Sequence, residues 1–368
     1  MNERHVAARS GMAGALVLAL CAFCATARAD DLGERLAELN IRHETKHYVL
    51  AGTVSTGRMR EYGRALEFIH REYERAFGKL LADGDARKDD KAASTPRERA
   101  AREKAAKRKA EGDDRKPQPT DDDPKGDDDP EATPDNGADG TTAPAAGDAL
   151  PGAKGRFPVI LFANQREYED FGSAFVGSSE HTRGMYISRH RLLLVLDDSN
   201  SDETFGVLFH EALHQFMHRH VPAAPVWINE GLAELYETAR PTASGVRFEA
   251  RRAKHWSLVR KAIDKKAAIP LPELLAADSA AFYDKSEFPL SGFESVRRQH
   301  LYYGQAYTLV HLLAGDAEGR KRLQEYLRDL IESPRQAAAL TEKHFGGKAG
   351  RSLEEAWQRY VKSRPESK

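Results

Sequence analysis

His210-Glu211-Ala212-Leu213-His214, followed by Trp227-Ile228-Asn229-Glu230-Gly231-Leu232-Ala233-Glu234, is the stretch on which the reading of this 368-residue chain turns. The first pentad lies in a run whose apolar spacing predicts a helix over 203–218, with Ser201 or Asp202 as its cap and Pro222 beyond its end. On that helix His210 and His214 share one face, a turn apart. Two imidazoles so placed can hold one tetrahedral Zn²⁺. Glu211 lies about 100° further round, beside such a metal, where its carboxylate can take a proton from metal-activated water. Val207, Leu208, Phe209, Leu213 and Phe216 make the helix apolar enough to be buried, and buried His and Glu side chains need partners. After a Pro-containing loop a second helix opens at Trp227, bearing Glu230 and Glu234 on one face. A carboxylate is what a two-histidine site needs as its third protein ligand.

These two segments together resemble the gluzincin metallopeptidases, the group of thermolysin and aminopeptidase N, and are most similar to bacterial peptidase-MA-like domains of unknown function. The resemblance covers residues 155 to 315 well and the N-terminal strand and helix loosely. It implies that His210, His214 and Glu230 are zinc ligands, that Glu211 is the general base, and that Glu234 hydrogen-bonds a ligand histidine and fixes its tautomer. Fifteen residues separate His214 from Glu230, fewer than in thermolysin or aminopeptidase N, and Glu234 is the alternative third ligand. Tyr303, before the apolar run Leu309 to Leu313, is similar to a tyrosine that donates to the oxyanion in aminopeptidase-N-like enzymes. Its other reading is a core tyrosine, and Tyr302 and Tyr307 read as structural.

Outward from this centre the chain divides by composition. Arg4 and Arg9, the apolar run Gly11 to Ala25 and Ala27-Arg28-Ala29 read as a signal peptide over residues 1–29. That predicts an exported protein, periplasmic or secreted, with an uncleaved membrane anchor as the alternative. Cys21 and Cys24 are the only cysteines and both lie in this leader, so a metal in the mature chain must be held by His, Asp or Glu. A net charge of −1 suggests neither nucleic acid nor a membrane surface as partner.

Residues 30–83 read as a strand and helix of the catalytic domain. The strand is His47 to Val54; Tyr62, Leu66, Ile69, Tyr73 and Phe77 mark the amphipathic helix. Residues 84–152 carry almost no large apolar side chain, with a basic first half and an acidic, Pro- and Gly-bearing second half. They read as a disordered charged insertion, whose functional alternative is a tether to a polyanion, metal or the envelope. Residues 153–365 resume the domain, with strands at 157–162, 184–188 and 191–196 and helices to the end. The strand 191–196 reads either as an edge that pairs with extended peptide or as an interior strand. His181 and His190 flank that hairpin as candidates for substrate contact. His218 and His220 read as exposed residues at a helix end, with an extension of the metal site as the other reading. Ser352 and Glu355 predict a capping box at the start of the last helix.

The expected architecture is therefore α+β and zincin-like: a small mixed sheet packed on the metal helix, with a C-terminal helical lobe from about residue 229. The expected activity is zinc-dependent hydrolysis of a peptide or protein substrate. The alternatives are a cell-wall amidase and a non-catalytic envelope module that retains the fold.

Overall fold

The computed structural model describes residues 39, 41–93, 150, 153, 155–176, 182–198, 201–249, 253–291 and 294–364. The expected leader, most of the charged insertion and His181 lie outside them. β1 (Ile41–Glu44) and β2 (Tyr48–Gly52) form a hairpin that leads into α1 (Thr56–Ala93). β3 (Phe157–Phe162) and α2 (Gln165–Val176) come next. A second hairpin, β4 (Gly184–Ile187) and β5 (Leu192–Leu196), turns through the left-handed residue Arg191 and precedes α3 (Ser201–His220). Residues 1–80 and 145–368 make up one unit and residues 81–144 another.

The five strands form one mixed sheet in the order β1-β2-β3-β5-β4. β2 is parallel to β3, in register from Tyr48↔Phe157 to Gly52↔Leu161, and β3 is parallel to β5. β1 and β4 are the antiparallel edges. The three inner strands are buried at every position, the pattern expected where both faces of a sheet are covered. At the end of β2, Gly52 has φ +147°, and a Cβ there would stand 1.9 Å from the Leu161 carbonyl oxygen. Only glycine fits that approach.

The pairing decides between the two readings of 191–196. β5 is an interior strand, because β3 pairs with β5 and leaves β4 outside it. The sheet edge next to α3 is β4. An unbroken apolar run marks a strand covered on both faces, and Leu192 to Leu196 is such a run.

Beyond α3 the order is α4 (Val226–Tyr236), the hairpin β6 (Ala239–Pro241) and β7 (Val246–Phe248), α5 (Ala253–Asp264), α6 (Leu271–Ala276) and α7 (Ser279–Phe282). The hairpin β8 (Glu287–Ser291) and β9 (Glu294–Arg297) follows, then α8 (Arg298–Gly315), α9 (Ala317–Glu332), α10 (Ala337–Phe345) and α11 (Gly347–Ser363). The chain is thus a mixture of helix and strand, as expected, with two short hairpins inside the helical region. α8 is its central post, buried along most of its length. α4 packs against it closely: a Cβ on Gly231 would stand 2.6 Å from Val310 Cγ2 and 2.7 Å from the Ala306 oxygen. Among the described residues no helix is long and apolar enough to cross a membrane.

Two helix starts differ from expectation. α3 begins at Ser201, so Ser201 and Asp202 lie in its first turn, where Asp202 and Glu203 suit the positive end of the dipole. α11 begins at Gly347, with Gly346 as its cap, so Ser352 and Glu355 are interior residues and form no capping box. α11 has a buried apolar face of Leu353, Trp357 and Val361, and Trp357 Nε1 donates to Thr308 Oγ1 at 3.0 Å on α8.

Candidate metal centre

α3 is buried by contacts on several sides. Leu208, Phe209, Leu213 and Phe216 are all at most 1% exposed. The Tyr73 hydroxyl of α1 donates to the Phe209 oxygen at 2.9 Å, and Gln215 Nε2 donates to the main-chain oxygens of Pro158 and Arg191. The helix is thereby fixed against both α1 and the sheet, which orients its histidines.

His210 Nε2 and His214 Nε2 each lie 3.6 Å from Glu230 Oε2. That is too long for a hydrogen bond. It is close to the separation of about 3.4 Å that two ligands have when each is about 2.1 Å from one tetrahedral cation. All three atoms are buried and have no hydrogen-bond partner. Each such orphaned polar atom costs roughly 1–3 kcal/mol. Two imidazole nitrogens and one carboxylate oxygen, with no thiolate, form a donor set that fits Zn²⁺.

The orientation of these side chains comes from residues behind them. The Tyr283 hydroxyl, at the end of α7, donates to Glu230 Oε1 at 2.6 Å, which turns Oε2 to the histidines. His210 Nδ1 donates to Glu237 Oε2 at 3.0 Å. A carboxylate only accepts, so the proton is on Nδ1 and the Nε2 lone pair is left for a metal. Glu234, the residue expected to do this, has His255 Nε2 as a partner at 2.9 Å, while one of its oxygens stays within 4.8 Å of ligand atoms of His210 and Glu237. The spacing 230, 234, 237 puts all three carboxylates on one face of a helix, so Glu237 was detectable by period. Tyr283 and His255 belong to other elements and carried no local signal.

Charge follows the same arrangement. Burial opposes the ionised form of Glu230, but the His214 and His210 rings and the Tyr283 hydrogen bond outweigh it and hold the carboxyl below its ordinary value. Burial also opposes charge on His210, yet Glu230 and Glu237 raise it well above the usual imidazole value. The pocket favours positive charge at the point where these side chains converge.

Glu211 lies beside them. Its Oε2 accepts the Tyr186 main-chain N–H at 2.8 Å, and its Oε1 is buried without a partner. Burial, with Glu230 adding to it, pushes its pKa up against the opposing pull of His210 and His214. Tyr303 is buried on α8, its ring 5.2 Å from Phe282 and 6.2 Å from Tyr283. Burial first, then the charges of Glu230, Glu234 and Glu211, keep its hydroxyl protonated. Tyr303 is therefore brought to the site, whereas Tyr302 donates to Glu273 at 3.1 Å and Tyr307 packs on Trp256 and His311.

β4 forms one wall. Leu196 N–H donates to the Arg183 oxygen, so the antiparallel alternation turns the main-chain groups of Gly184 and Tyr186 away from β5. Tyr186 N–H uses that direction to reach Glu211. The Tyr186 hydroxyl meets His218 Nδ1 at 2.6 Å; His218 is exposed at the helix end as expected, and His220 packs on Phe157 and Phe216. His190 lies in the turn between β4 and β5. The chain matches no family model and no curated protein.

Proposed function

We propose that this protein is a zincin-like, zinc-dependent hydrolase that cleaves peptide bonds. The observation that carries the reading is the convergence of His210 Nε2, His214 Nε2 and Glu230 Oε2, buried and without hydrogen-bond partners, beside a buried Glu211. Bound zinc would supply Lewis-acid polarisation of a carbonyl and of water.

The remaining chemistry belongs to the chain. Glu211, anchored through one oxygen by Tyr186, has its other oxygen available to take a proton from the attacking water and pass it to the leaving amine. Burial raises its pKa above the ordinary carboxylate value, the direction that favours its holding a proton in transit. Tyr303, held protonated, donates to the oxyanion. Gly184 and the Tyr186 carbonyl of β4 turn away from β5, the side on which an extended peptide would pair, which supports a peptide as substrate. The leader-like composition of residues 1–29 supports action in the periplasm or outside the cell.

The test is metal analysis of the purified protein with turnover of a complex peptide library. One zinc at this site, lost in His210→Ala, and cleavage abolished in a metal-replete Glu211→Gln variant are expected. Unchanged metal content in His210→Ala overturns the site, and undiminished cleavage by Glu211→Gln overturns the mechanism.

A further inference from the structure

β4 and α3 also meet one turn beyond His214. Residues 184 and 186 alternate onto the same face of β4, and a Cβ on Gly184 would point at Val207 and Glu211 of α3. The Tyr186 side chain therefore lies over α3 too, further along it, and its hydroxyl meets His218 Nδ1 at 2.6 Å. His210, His214 and His218 stand a turn apart on one face of that helix. Tyr186 thus serves two places: its main-chain N–H holds Glu211 Oε2 at 2.8 Å, and its ring reaches His218. Burial first, then the positive charge of Arg191, lower the His218 pKa and keep the ring neutral. A neutral imidazole nitrogen is the stronger acceptor of the pair, so the phenol O–H donates to Nδ1. The ring proton is then on Nε2, a donor carried by an exposed residue.

Arg191 follows the turn that ends β4. Its backbone is left-handed, with φ 50° and ψ 32°, a conformation uncommon for a long side chain. The main chain is pinned on both sides, since its N–H donates to the Ser188 oxygen and its own oxygen accepts Gln215 Nε2, each at 3.1 Å. Glycine is the unstrained choice there, so an arginine points to a use for the guanidinium. Arg189 brings a second guanidinium to the same turn. The opposite end of β4 has the reverse charge, because Arg183 meets two carboxylates, Asp198 and Glu203. A peptide laid along β4 runs between a negative end and a positive one.

We infer that Tyr186, His218 and Arg191 form a substrate subsite that binds a carboxylate of the peptide through His218 Nε2–H and the Arg191 guanidinium. The inference rests on the peptide-hydrolase reading and names the kind of peptide the cleft takes. Tyr186 fixes the His218 tautomer and ring plane. The carboxylate comes from an Asp or Glu side chain or from the peptide's own C terminus, which present the same acceptor oxygens. Lying about one helical turn, roughly 5.4 Å, beyond His214, the subsite selects the peptide without joining the chemistry.

The experiment uses metal-replete full-length protein and matched short peptides. Each position in turn carries Glu or Gln, and each peptide has a free or an amidated C terminus. Cleavage is followed as kcat/KM, and binding of the same peptides, fluorescently labelled, by anisotropy. Wild type is expected to favour Glu over Gln at one position, or a free over an amidated C terminus, by about tenfold or more. Which of the two pairs discriminates identifies the source of the carboxylate. His218→Ala and Arg191→Gly, the latter suited to the left-handed backbone, should each bring that ratio towards one while zinc content holds. Tyr186→Phe should lower it in part. Wild type that treats both pairs alike overturns the subsite, as does a preference that survives in both His218→Ala and Arg191→Gly. Failure of the hydrolase reading looks different: no peptide is cut, yet binding still discriminates and loses that discrimination in His218→Ala.

Discussion

His210 Nδ1 and Glu237 Oε2 meet at 3.0 Å across the contact between α3 and α4. This pair, formed between two helices, sets the tautomer and ring plane of a residue that is itself fully buried. Glu237→Gln keeps the size of the side chain but removes the charge and offers an amide that can turn its N–H₂ to the ring. Zinc affinity should fall by about 10- to 100-fold, the usual cost of losing such a partner. Competition with a chromogenic chelator measures it. An unchanged affinity would mean that His210 needs no carboxylate to hold its orientation.

Tyr283 and Tyr303 are neighbours, but their expected effects separate. Tyr283 donates to Glu230 Oε1, so Tyr283→Phe should weaken metal binding and leave the catalytic step of the loaded protein little changed. Tyr303→Phe should retain the metal and lower kcat by roughly 10²–10³-fold with a small change in KM, as loss of an oxyanion donor does. Steady-state kinetics on metal-replete protein, with metal analysis of both variants, distinguishes the two. Equal kcat in Tyr303→Phe and wild type would return Tyr303 to the role of a core residue.

What could be read in the sequence was what depends on local period. His210, His214 and Glu211 follow from helical spacing, which also puts Glu230 and Glu234 on one face; the choice of Glu230 rests on the family resemblance, and the inner strands follow from their apolar runs. Glu237 obeys the same period but lies at the end of α4, where the apolar pattern stops marking the helix. Tyr283 and His255 reach the site only because α7 and α5 fold back against α4, which no local pattern encodes. β6 to β9 are short, and two of them contain proline, so they lack the alternation that identifies a strand. Ser352 and Glu355 have the spacing of a cap, but α11 starts earlier, at a glycine with φ +58°. A motif that describes a helix start does not prevent the helix from beginning upstream of it.

Gly184 lets β4 approach α3 closely. A Cβ there would stand 2.4 Å from Val207 Cγ1 and 3.4 Å from Glu211 Cγ, in space that is already filled. Gly184→Ala should cost about 1–3 kcal/mol, the usual range for overpacking, measured by chemical denaturation. Because the same displacement pulls Tyr186 N–H from Glu211, catalytic activity should fall more than metal content. A variant as stable and active as wild type would show that the strand shifts without strain.

Asp197, just after β5, receives Arg58 through Nε at 3.0 Å and through Nη2 at 2.6 Å, and the Tyr62 hydroxyl at 2.6 Å. It joins α1 to the segment that leads into α3. Burial works against its charge, but the Arg58 and Tyr62 hydrogen bonds prevail and hold its pKa below the ordinary value of 3.8. A carboxylate depressed in the folded state contributes stability that is fully present above the unfolded value. That stability is lost as the pH falls through the folded value, because the unfolded chain takes up the proton first. Wild type should therefore lose stability below about pH 4. Asp197→Asn should be less stable at pH 7 by roughly 1.5–3 kcal/mol, the worth of a hydrogen bond to a charged group, and should lack this part of the acid dependence. The difference between the two proteins should accordingly narrow on acidification. Denaturation curves collected from pH 7 down to pH 3 test this, and a constant difference across that range would show that Asp197 is not the group whose protonation loosens the junction.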